Sequence, residues 1–490
     1  MLIGGLDVGT TGCKLTVYDT DGNFIANEYK EYRVSRKNGE HEIDANIIFH
    51  SVCEVIRIIS KSYSLEAIGI TTFGETFAVL DEMDNVLLPS MLYTDPRGQK
   101  EVENLKDKLS EKRLITISGT KPNQMYSLPK IMWIKNNLPK VYSQIKHILL
   151  MEDFLVYMLT GTAAIDYSLA ARTMAFDIKN KCWSKEIFDA ADVDMSLMAT
   201  PVPPGNIAGY MKKELLEDLG IKHKIKIVNG AHDQVAAAFG AGVFKAGDAV
   251  DGTGTVECVT PMFDKIPQDK QLYDEGYSVV PYIFPDTYVC YALSFTGGAV
   301  LKWYRDNFAK YETELAAKGG ENVYANLDNA IPSSPTDILI LPHFAGAATP
   351  YMDSSSKAVI AGLTLEHTGY DIYKALMEGV TYEILTNIEQ LEKFGIKLNK
   401  LYATGGGASS SAWLQIKADI LKRDMLTLAA KEAGACGTCM LVASAIGECK
   451  DLHNFVKVKN TYHPNAENAE KYAKNYERYK KLYSAIRPII

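Results

Sequence analysis

The sequence lacks an excess of basic residues, and this argues against two classes of partner. The chain of 490 residues carries 52 Lys and Arg against 60 Asp and Glu, a formal net charge of -8. Nucleic acids and anionic membranes both attract basic surfaces. The chain also has no apolar run as long as a transmembrane helix. We therefore expect neither a nucleic-acid partner nor a membrane partner.

A secretory signal is also lacking in the first residues. Asp7 lies inside the only early apolar stretch, and no Lys or Arg precedes it, which is not the pattern of a signal peptide. Eight cysteines are scattered along the chain, and the spacing of Cys436 and Cys439 has no second CxxC or histidine pair to support it. We expect a reducing, cytoplasmic compartment and interpret these two cysteines as packing residues of a small-residue helix.

The sequence begins with strand patterns and continues with alternating helices and strands. Strand patterns span residues 2–8, 14–19, 24–32 and 65–72, and a helical pattern spans 47–63. Asp21-Gly22 is a typical hairpin turn. This order predicts an α/β fold. The tyrosines of residues 465–486 recur at helical spacing and predict an amphipathic helix near the end of the chain.

The same order of elements starts again halfway along the chain. Residues 224–230 read as a strand and 233–244 as a small-residue helix. The segment 251–260 then repeats the strand, Gly/Thr turn and strand layout of 7–17. We interpret the chain as two similar halves, residues 1–244 and 245–490, each with one Gly/Thr hairpin.

The first Gly/Thr turn has the residue types of a phosphate-binding loop. Glycines let backbone N–H groups approach an anion, and Thr10 and Thr11 add hydroxyl donors. Lys14 can supply positive charge, and Asp7, at the strand end, can hold Mg²⁺ through water. The alternative is a plain tight hairpin with a surface aspartate.

A second turn, with Gly252 and Thr253, strengthens the phosphate interpretation. Two such hairpins in matching places suit a nucleotide bound between two halves. The P-loop pattern GxxxxGK[ST] is absent, and the glycines join strand to strand, which also excludes the dinucleotide-binding fingerprint.

A third glycine cluster, residues 405–407, joins a strand to a helix. Gly406 and Gly407 allow close approach of a base or ribose, and Ser409–Ser411 are good N-cap residues. The helix N-terminus can face phosphate, while Trp413, Ile416 and Ile420 give the helix a buried face. The alternative is an ordinary tight strand-to-helix turn.

Asp233 is the best catalytic candidate because it follows a strand directly and begins a helix. The helix dipole and free N–H groups are expected to favour its ionised form. An ionised carboxylate can orient a hydroxyl group and accept its proton during attack on phosphorus. Gln234 can hold a neighbouring hydroxyl, and His232 is interpreted as a packing residue. The alternative for Asp233 is a simple N-cap.

Glu75 and Tyr93 are candidates for binding a polyhydroxylated ligand. Glu75 follows a buried strand, and Tyr93, Asp95 and Arg97 come shortly after it. Carboxylates near a strand end can accept hydrogen bonds from hydroxyl groups. The alternative is a charged hairpin edge.

Six segments resemble motifs of the FGGY carbohydrate kinases and extend over nearly the whole chain. They are residues 5–14, 125–137, 230–234, 251–255, 358–378 and 404–421. The match at 358–378 departs at Leu376, where a smaller or β-branched residue is usual. The resemblance implies two actin-like (ribonuclease H-like) ATPase domains with the active site in the cleft between them.

The resemblance also implies ATP and Mg²⁺ as cofactors and a role for each candidate residue. By position, Asp233 is the base, Asp7 assists Mg²⁺, Thr10, Thr11 and Lys14 contact the terminal phosphates, Gly252 and Thr253 form the second phosphate loop, Gly406 and Gly407 belong to the adenosine site, and Glu75, Tyr93, Asp233 and Gln234 hold the sugar or polyol.

The sugar loop at residues 73–76 leaves the substrate open. Xylulokinases often carry Gly-Gln-Met-His-Gly there, whereas this loop is more similar to that of deoxyhexulose kinases such as fuculokinase. Glu75-Thr76 also resembles glycerol kinase, whose neighbouring arginine is replaced by Gly74. We expect a ketose kinase, with a polyol kinase or an actin-like nucleotide switch without sugar chemistry as alternatives. The oligomeric state is open, with a homodimer as one alternative.

Overall fold

The computed structural model describes residues 1–320, 322–429, 432–449 and 451–489. Its strands are β1 Leu2–Val8, β2 Gly12–Asp19, β3 Phe24–Glu31, β4 Ser35–Lys37, β5 Glu40–Ile43, β6 Leu65–Thr72, β7 Phe77–Leu80, β8 Ser90–Met91, β9 His147–Leu150, β10 Ala164–Asp166, β11 Phe176–Asp177, β12 Cys182–Trp183, β13 Thr200–Val202, β14 Ile207–Tyr210, β15 Lys226–His232, β16 Asp248–Thr253, β17 Glu257–Phe263, β18 Val279–Pro281, β19 Tyr288–Cys290, β20 Ala292–Ser294, β21 Leu339–Leu341, β22 Val359–Ala361, β23 Lys400–Thr404, β24 Asp424–Leu428 and β25 Val458–Tyr462.

The α-helices complete the element order. They are α1 Ala45–Ser60, α2 Gln99–Lys108, α3 Glu111–Ser118, α4 Ser127–Asn137, α5 Pro139–Tyr142, α6 Met151–Thr160, α7 Tyr167–Ala171, α8 Lys185–Ala191, α9 Lys213–Asp218, α10 Asp233–Ala241, α11 Lys270–Asp274, α12 Ala299–Phe308, α13 Lys310–Gly319, α14 Val323–Ala330, α15 Gly369–Lys393, α16 Ser411–Leu421, α17 Ala433–Ala445, α18 Ala466–Tyr479 and α19 Leu482–Ile486.

The chain folds into two compact units, and neither is one continuous stretch of sequence. The first unit comprises Met1–Gly242, Ser278–Val289 and Glu432–Val456. The second comprises Val243–Tyr277, Cys290–Lys431 and Lys457–Ile490. The predicted division into residues 1–244 and 245–490 stays a prediction. The structure adds that α17, late in the sequence, belongs with the first unit.

The first unit is built on a six-stranded sheet in the order β14-β15-β6-β1-β2-β3. Strands β1, β2 and β3 are antiparallel neighbours, whereas β1, β6 and β15 are parallel. β14 closes the other edge antiparallel to β15. Residues of β1 and β6 are buried almost without interruption, as expected for central strands covered on both faces.

The second unit repeats the arrangement of the inner strands, an antiparallel hairpin beside parallel strands, although its antiparallel edge strand β25 follows its neighbour in sequence whereas β14 precedes its own. β17 pairs antiparallel with β16 and β20, β16 pairs parallel with β23 and β23 with β24, and β25 runs antiparallel to β24. Each unit therefore contains a hairpin whose first strand, β1 or β16, also pairs with a parallel strand on its other side. This confirms the predicted strand, Gly/Thr turn and strand layout in both halves.

The first unit's sheet is covered by two helices that pack through glycine. An added Cβ at Gly240 of α10 would lie 1.9 Å from the carbonyl oxygen of Ala433, and one at Gly437 of α17 would lie 2.0 Å from that of Ala236. The helix backbones are thus in direct contact. Cys436 and Cys439 are buried free thiols of α17, which agrees with their interpretation as packing residues.

The predicted helix near the end of the sequence is α18. Asn465 caps it by accepting a hydrogen bond from the N–H of Asn468. Tyr472, Tyr476 and Tyr479 are buried on one side. The amphipathic prediction is confirmed. Among the described residues, no helix is long and apolar enough to cross a membrane.

Candidate active site

The first Gly/Thr turn is a tight connection between β1 and β2. The N–H of Gly9 donates to the carbonyl oxygen of Gly12 at 2.9 Å. Asp7 and Lys14 are direct cross-strand partners, so their side chains share one face of the sheet. The ammonium group of Lys14 lies 2.9 Å from a carboxylate oxygen of Glu432. Thr10 is half-buried and Thr11 is exposed, so the turn can be reached by a ligand.

The end of β15 and the start of α10 position Asp233. His232 is the N-cap residue, and its own N–H donates to Ser168 Oγ at 2.8 Å. Ser168 Oγ in turn donates to Asp166 Oδ2 at 2.8 Å, deep in the first unit. Asp233 Oδ1 accepts from the N–H of Gln234 at 2.6 Å and lies 3.2 Å from His232 Nε2. Asp233, the first residue of α10, is therefore held in place through the hydrogen bond of the preceding residue, His232.

The electrostatic expectation for Asp233 is wrong. Its surroundings raise its pKa to about 7, chiefly through burial, then through the negative charges of Asp7 and Glu75. The hydrogen bond from Gln234 and the charge of Arg172 act in the opposite direction but do not prevail. The side chain still exposes 37% of its surface, so a ligand can reach this carboxyl group.

Asp7 has a similar environment and the chemistry of a magnesium ligand. Burial and Glu432 raise its pKa to about 6, against the effect of Lys14. A divalent cation would relieve this crowding of negative charge. No group of three or more metal-binding side chains is found in the described ranges. Mg²⁺ in kinase sites is commonly bound by one or two carboxylates together with phosphate oxygens and water, and Asp7 could supply one such carboxylate.

Glu75 is fixed by its side chain and by its backbone. Arg172 Nε donates to Glu75 Oε1 at 2.6 Å, and the pair is buried. Ser127 Oγ donates to the backbone oxygen of Glu75 at 2.6 Å. Tyr93, 43% exposed, has its pKa raised by partial burial and by the nearby charges of Glu75 and Asp233. These groups form one acidic, polar patch on the first unit.

Asp95 and Arg97 belong to a separate ion-pair network. Asp95 accepts three hydrogen bonds from Arg97, from its backbone N–H at 3.0 Å and from Nε and Nη2, both at 2.7 Å. It also accepts from the N–H of His41, and Arg97 reaches Glu42. These bonds occupy the Asp95 carboxylate, so the hairpin-edge alternative describes these two residues better.

The second unit carries a cavity of 570 Å³ beside the third glycine cluster. Its lining combines glycines, serines and aromatic rings. They include Thr253, Gly254, Tyr324, Tyr373, Gly406, Gly407, Ser410 and Trp413. Ser410 caps α16 by accepting from the N–H of Trp413 at 3.0 Å, so the predicted N-cap is confirmed. The size and the mixed lining suit an adenosine.

Thr253 is held by a buried lysine that the sequence patterns do not single out. Lys417 Nζ donates to Thr253 Oγ1 at 2.6 Å, to Asp251 Oδ2 at 2.6 Å and to Glu257 Oε1 at 2.8 Å. Lys417 and both acids are buried. The Thr253 hydroxyl is therefore occupied inside the unit, which leaves mainly the backbone groups of Gly252, Thr253 and Gly254 for any ligand at this turn.

Two family models together match most of the chain. The N-terminal domain model of the FGGY family of carbohydrate kinases matches residues 2–240, and the C-terminal domain model of the same family matches residues 254–446. The chain belongs to the FGGY family of carbohydrate kinases. This FGGY kinase is therefore a phosphotransferase, and ATP is the phosphate donor of the family.

Relatives of this FGGY kinase align with nearly its full length. The xylulose kinase of Lactococcus lactis subsp. lactis is 28% identical over 495 residues, covering 98% of this chain and 96% of its own. The gluconokinase of Bacillus subtilis is 27% identical over 455 residues, 91% and 87% of the two chains. The crystal structure of gluconate kinase from Lactobacillus acidophilus superposes with a TM-score of 0.89, at 24% identity and with 99% and 98% coverage. The predicted fold class, two actin-like ATPase domains, is confirmed.

The predicted site residues of the FGGY kinase divide between the two units. The first unit carries Asp7, Thr10, Thr11, Lys14, Glu75, Tyr93, Asp233 and Gln234; the second carries Gly252, Thr253, Gly406 and Gly407. Their roles stay predictions. Sequence reasoning missed Arg172, Ser168 and Lys417. Lys417 lies inside the segment 404–421, but no local pattern assigns a role to any of the three, because each acts on a partner far away in the sequence.

Proposed function

We propose that this FGGY kinase phosphorylates a hydroxyl group of a neutral ketose, such as xylulose or a deoxyketohexose of the fuculose type, in the cytoplasm. The observation that carries the proposal is the patch formed by Asp233, Glu75 and Tyr93. In this patch Asp233, whose pKa is raised to about 7, lies near Glu75 and Tyr93, which can accept hydrogen bonds from sugar hydroxyls. A polyol kinase of the same family is the second candidate.

In the proposed reaction, Asp233 acts as the general base. Its carboxylate accepts the proton of the attacking hydroxyl while the hydroxyl oxygen forms a bond to the γ-phosphorus and the bond to the ADP oxygen breaks. Gln234, Glu75 and Tyr93 hold the other hydroxyl groups. The dominant contribution is orientation of the nucleophile.

The nucleotide is assigned to the two Gly/Thr turns and the glycine cluster. We propose that Thr10, Thr11 and Lys14 contact the terminal phosphates, with the backbone of Gly252 and Thr253. Lys14 would then exchange its Glu432 partner for phosphate. Mg²⁺, when held near Asp7, neutralises charge on the phosphates.

Gly406 and Gly407 border the cavity proposed for adenosine. An aromatic ring and a capped helix N-terminus in the same lining suit the base and the first phosphate.

The charges around the patch favour a neutral sugar over an aldonate. Asp7, Glu75 and Asp233 are acidic, and Arg172 already binds Glu75. A substrate carboxylate would meet the like charges of these three side chains, which is costly in a partly buried site. This argument separates xylulose-type substrates from gluconate, although curated relatives include both xylulose kinases and gluconokinases.

A coupled ADP-release assay tests the proposal. The full chain with Mg²⁺ and ATP is offered ketopentoses, deoxyketohexoses, polyols and gluconate. We expect a ketose to give the highest kcat/KM. Asp233→Asn should lower kcat about 100- to 10,000-fold while ATP still binds, and the exposed control Asp189→Asn should behave as wild type. ATP turnover equal with and without every sugar, or strong activity of Asp233→Asn, would contradict the proposal.

A further inference from the structure

We propose that Arg172 is a positioning residue that sets the sugar specificity of the acceptor site by holding one oxygen of Glu75 and leaving the other for a substrate hydroxyl. This rests on the proposed function, in which Glu75 binds sugar. Arg172 lies far from Glu75 in sequence, at the C-terminal end of α7, and no motif of the sequence marks it.

The contact between the two side chains is one-sided. Arg172 Nε donates to Glu75 Oε1 at 2.6 Å, and Nη2 contacts the same oxygen. Within the described part of the chain, no hydrogen bond reaches Oε2. The side chains of Arg172 and Glu75 expose only 7% and 5% of their surface. A buried carboxylate with one occupied and one open oxygen is suited to accept a single directed hydrogen bond.

The surroundings of Arg172 fix its direction. Its guanidinium carbon lies 5.1 Å from the centre of the Tyr126 ring, a cation–π distance. A Cβ added to Gly74 would lie 3.0 Å from Arg172 Cγ and 3.2 Å from the His232 ring. The missing side chain at Gly74 therefore provides the space through which Arg172 reaches Glu75.

The backbone of Glu75 is held in a conformation that a non-glycine residue rarely adopts. Its φ is 64°, and the N–H of Thr76 donates to the Gly74 oxygen at 2.7 Å, closing a γ-turn around Glu75. Ser127 binds the Glu75 carbonyl oxygen. Such strain persists only where the surroundings determine the conformation. Arg172 and Ser127 supply that restraint from the side chain and from the backbone.

This arrangement has a consequence for substrate choice. Arg172 makes two contacts to Glu75 Oε1. We therefore infer that Arg172 acts on the sugar indirectly, through the position of the Glu75 carboxylate. A neutral hydroxyl gains a charge-assisted hydrogen bond from Oε2, whereas a carboxylate substrate meets repulsion. Loss of Arg172 removes the buried positive charge that compensates Glu75 and also the contacts that orient the Glu75 carboxylate.

Two substitutions in the full-length enzyme test the role, using the best ketose of the ADP-release panel. Arg172→Met should lower kcat/KM for the ketose by at least ~30-fold, mainly through KM, and leave the KM for ATP within about threefold. Arg172→Lys should recover part of the loss, because an ammonium group supplies charge without the fork of the guanidinium. The control is Arg113→Met, which removes an exposed Arg–Glu pair of the same unit.

The pH profile separates positioning from general damage. The charge of Arg172 lowers the pKa of Asp233, so the acid limb of kcat/KM should move to higher pH in Arg172→Met and stay in place in Arg113→Met. A profile that does not move, or an unchanged ketose KM, overturns the inference. So does an equal rise of the ketose and ATP KM values.

The outcomes also separate this inference from the proposed function. A wild-type enzyme that phosphorylates no sugar defeats the proposed function itself, whatever the variants do. A wild type active on a ketose, with Arg172 variants that keep its ketose KM, defeats only the role of Arg172. Where Arg172→Met does not fold by circular dichroism, Arg172→Lys decides: a raised ketose KM with an unchanged ATP KM supports the role, and an unchanged ketose KM overturns it.

Discussion

Opposing influences act on the carboxyl group of Asp233. Its position at the start of α10 favours the ionised form, because the helix N-terminus presents partial positive charge. Burial and the neighbouring carboxylates Asp7 and Glu75 favour the protonated form and prevail. A local pattern reveals the first influence, since it depends on residues adjacent in sequence. It cannot reveal the second, since Asp7 and Glu75 come together with Asp233 only in the folded unit.

The raised pKa predicts the pH dependence of turnover. A general base works only when deprotonated, so activity should fall as the pH drops through its pKa. We expect the acid limb of kcat/KM for the sugar to have a midpoint of about 7, measured from pH 5 to pH 9. A midpoint near 4 in the wild type would contradict this.

The contact between α10 and α17 is the tightest packing between elements of the first unit. A Cβ at Gly437 would lie 2.0 Å from the Ala236 carbonyl oxygen and 2.8 Å from Gly240 N. Neither atom can move without displacing a helix backbone. The glycines are thus required by the approach of two helices, and the sequence shows only that both segments are rich in small residues.

Gly437→Ala should therefore destabilise the enzyme by about 2–3 kcal/mol, the cost of forcing a methyl group into a closed contact. Urea unfolding followed by circular dichroism measures it. Gly434→Ala, on the same helix, is the matched control, because its added Cβ meets its nearest atom, Asp7 Oδ2, at an ordinary 3.4 Å. Equal stability of both variants would show that the helices can separate freely.

The sequence predicts those helices, strands and turns whose residue patterns lie within a few positions of one another. The hairpins β1–β2 and β16–β17 and the cap of α16 follow from alternation, turn residues and serines within a few positions. The assignment of α17 to the first unit does not, because it depends on packing against β1 and β6. The roles of Arg172 and Lys417 could not be predicted for the same reason, because their partners Glu75 and Asp251 are distant in the sequence.

At the scale of the molecule, two units that share the arrangement of their inner strands are proposed to have different roles. The proposed sugar groups lie in the first unit, and the proposed adenosine cavity lies in the second. In this proposal, the acceptor and the donor are recognised by different side chains on similar arrangements of strands. The kinetic parameters for the two substrates should respond to different sets of substitutions.

Lys417→Met tests this separation from the second unit. It leaves Asp251 and Glu257 buried without a counter-charge and releases Thr253, so the second phosphate loop should lose its fixed shape. We expect the KM for ATP to rise about tenfold or more, with the sugar KM within about threefold. Lys471→Met, which removes an exposed pair on α18, is the control. A sugar KM that rises as much as the ATP KM would contradict the division of tasks.

The late position of α17 governs how the protein is completed during synthesis. An added Cβ at Gly5 would meet Ala435 and Cys439, and one at Gly69 would meet Thr438 and Val442, so this helix covers the central strands made at the very beginning. Until residues 433–445 have been translated, the part of this sheet that α17 covers therefore lacks its native partner. We expect the nascent first unit to reach its native packing only after α17 has emerged, and the surface exposed until then should favour chaperone binding.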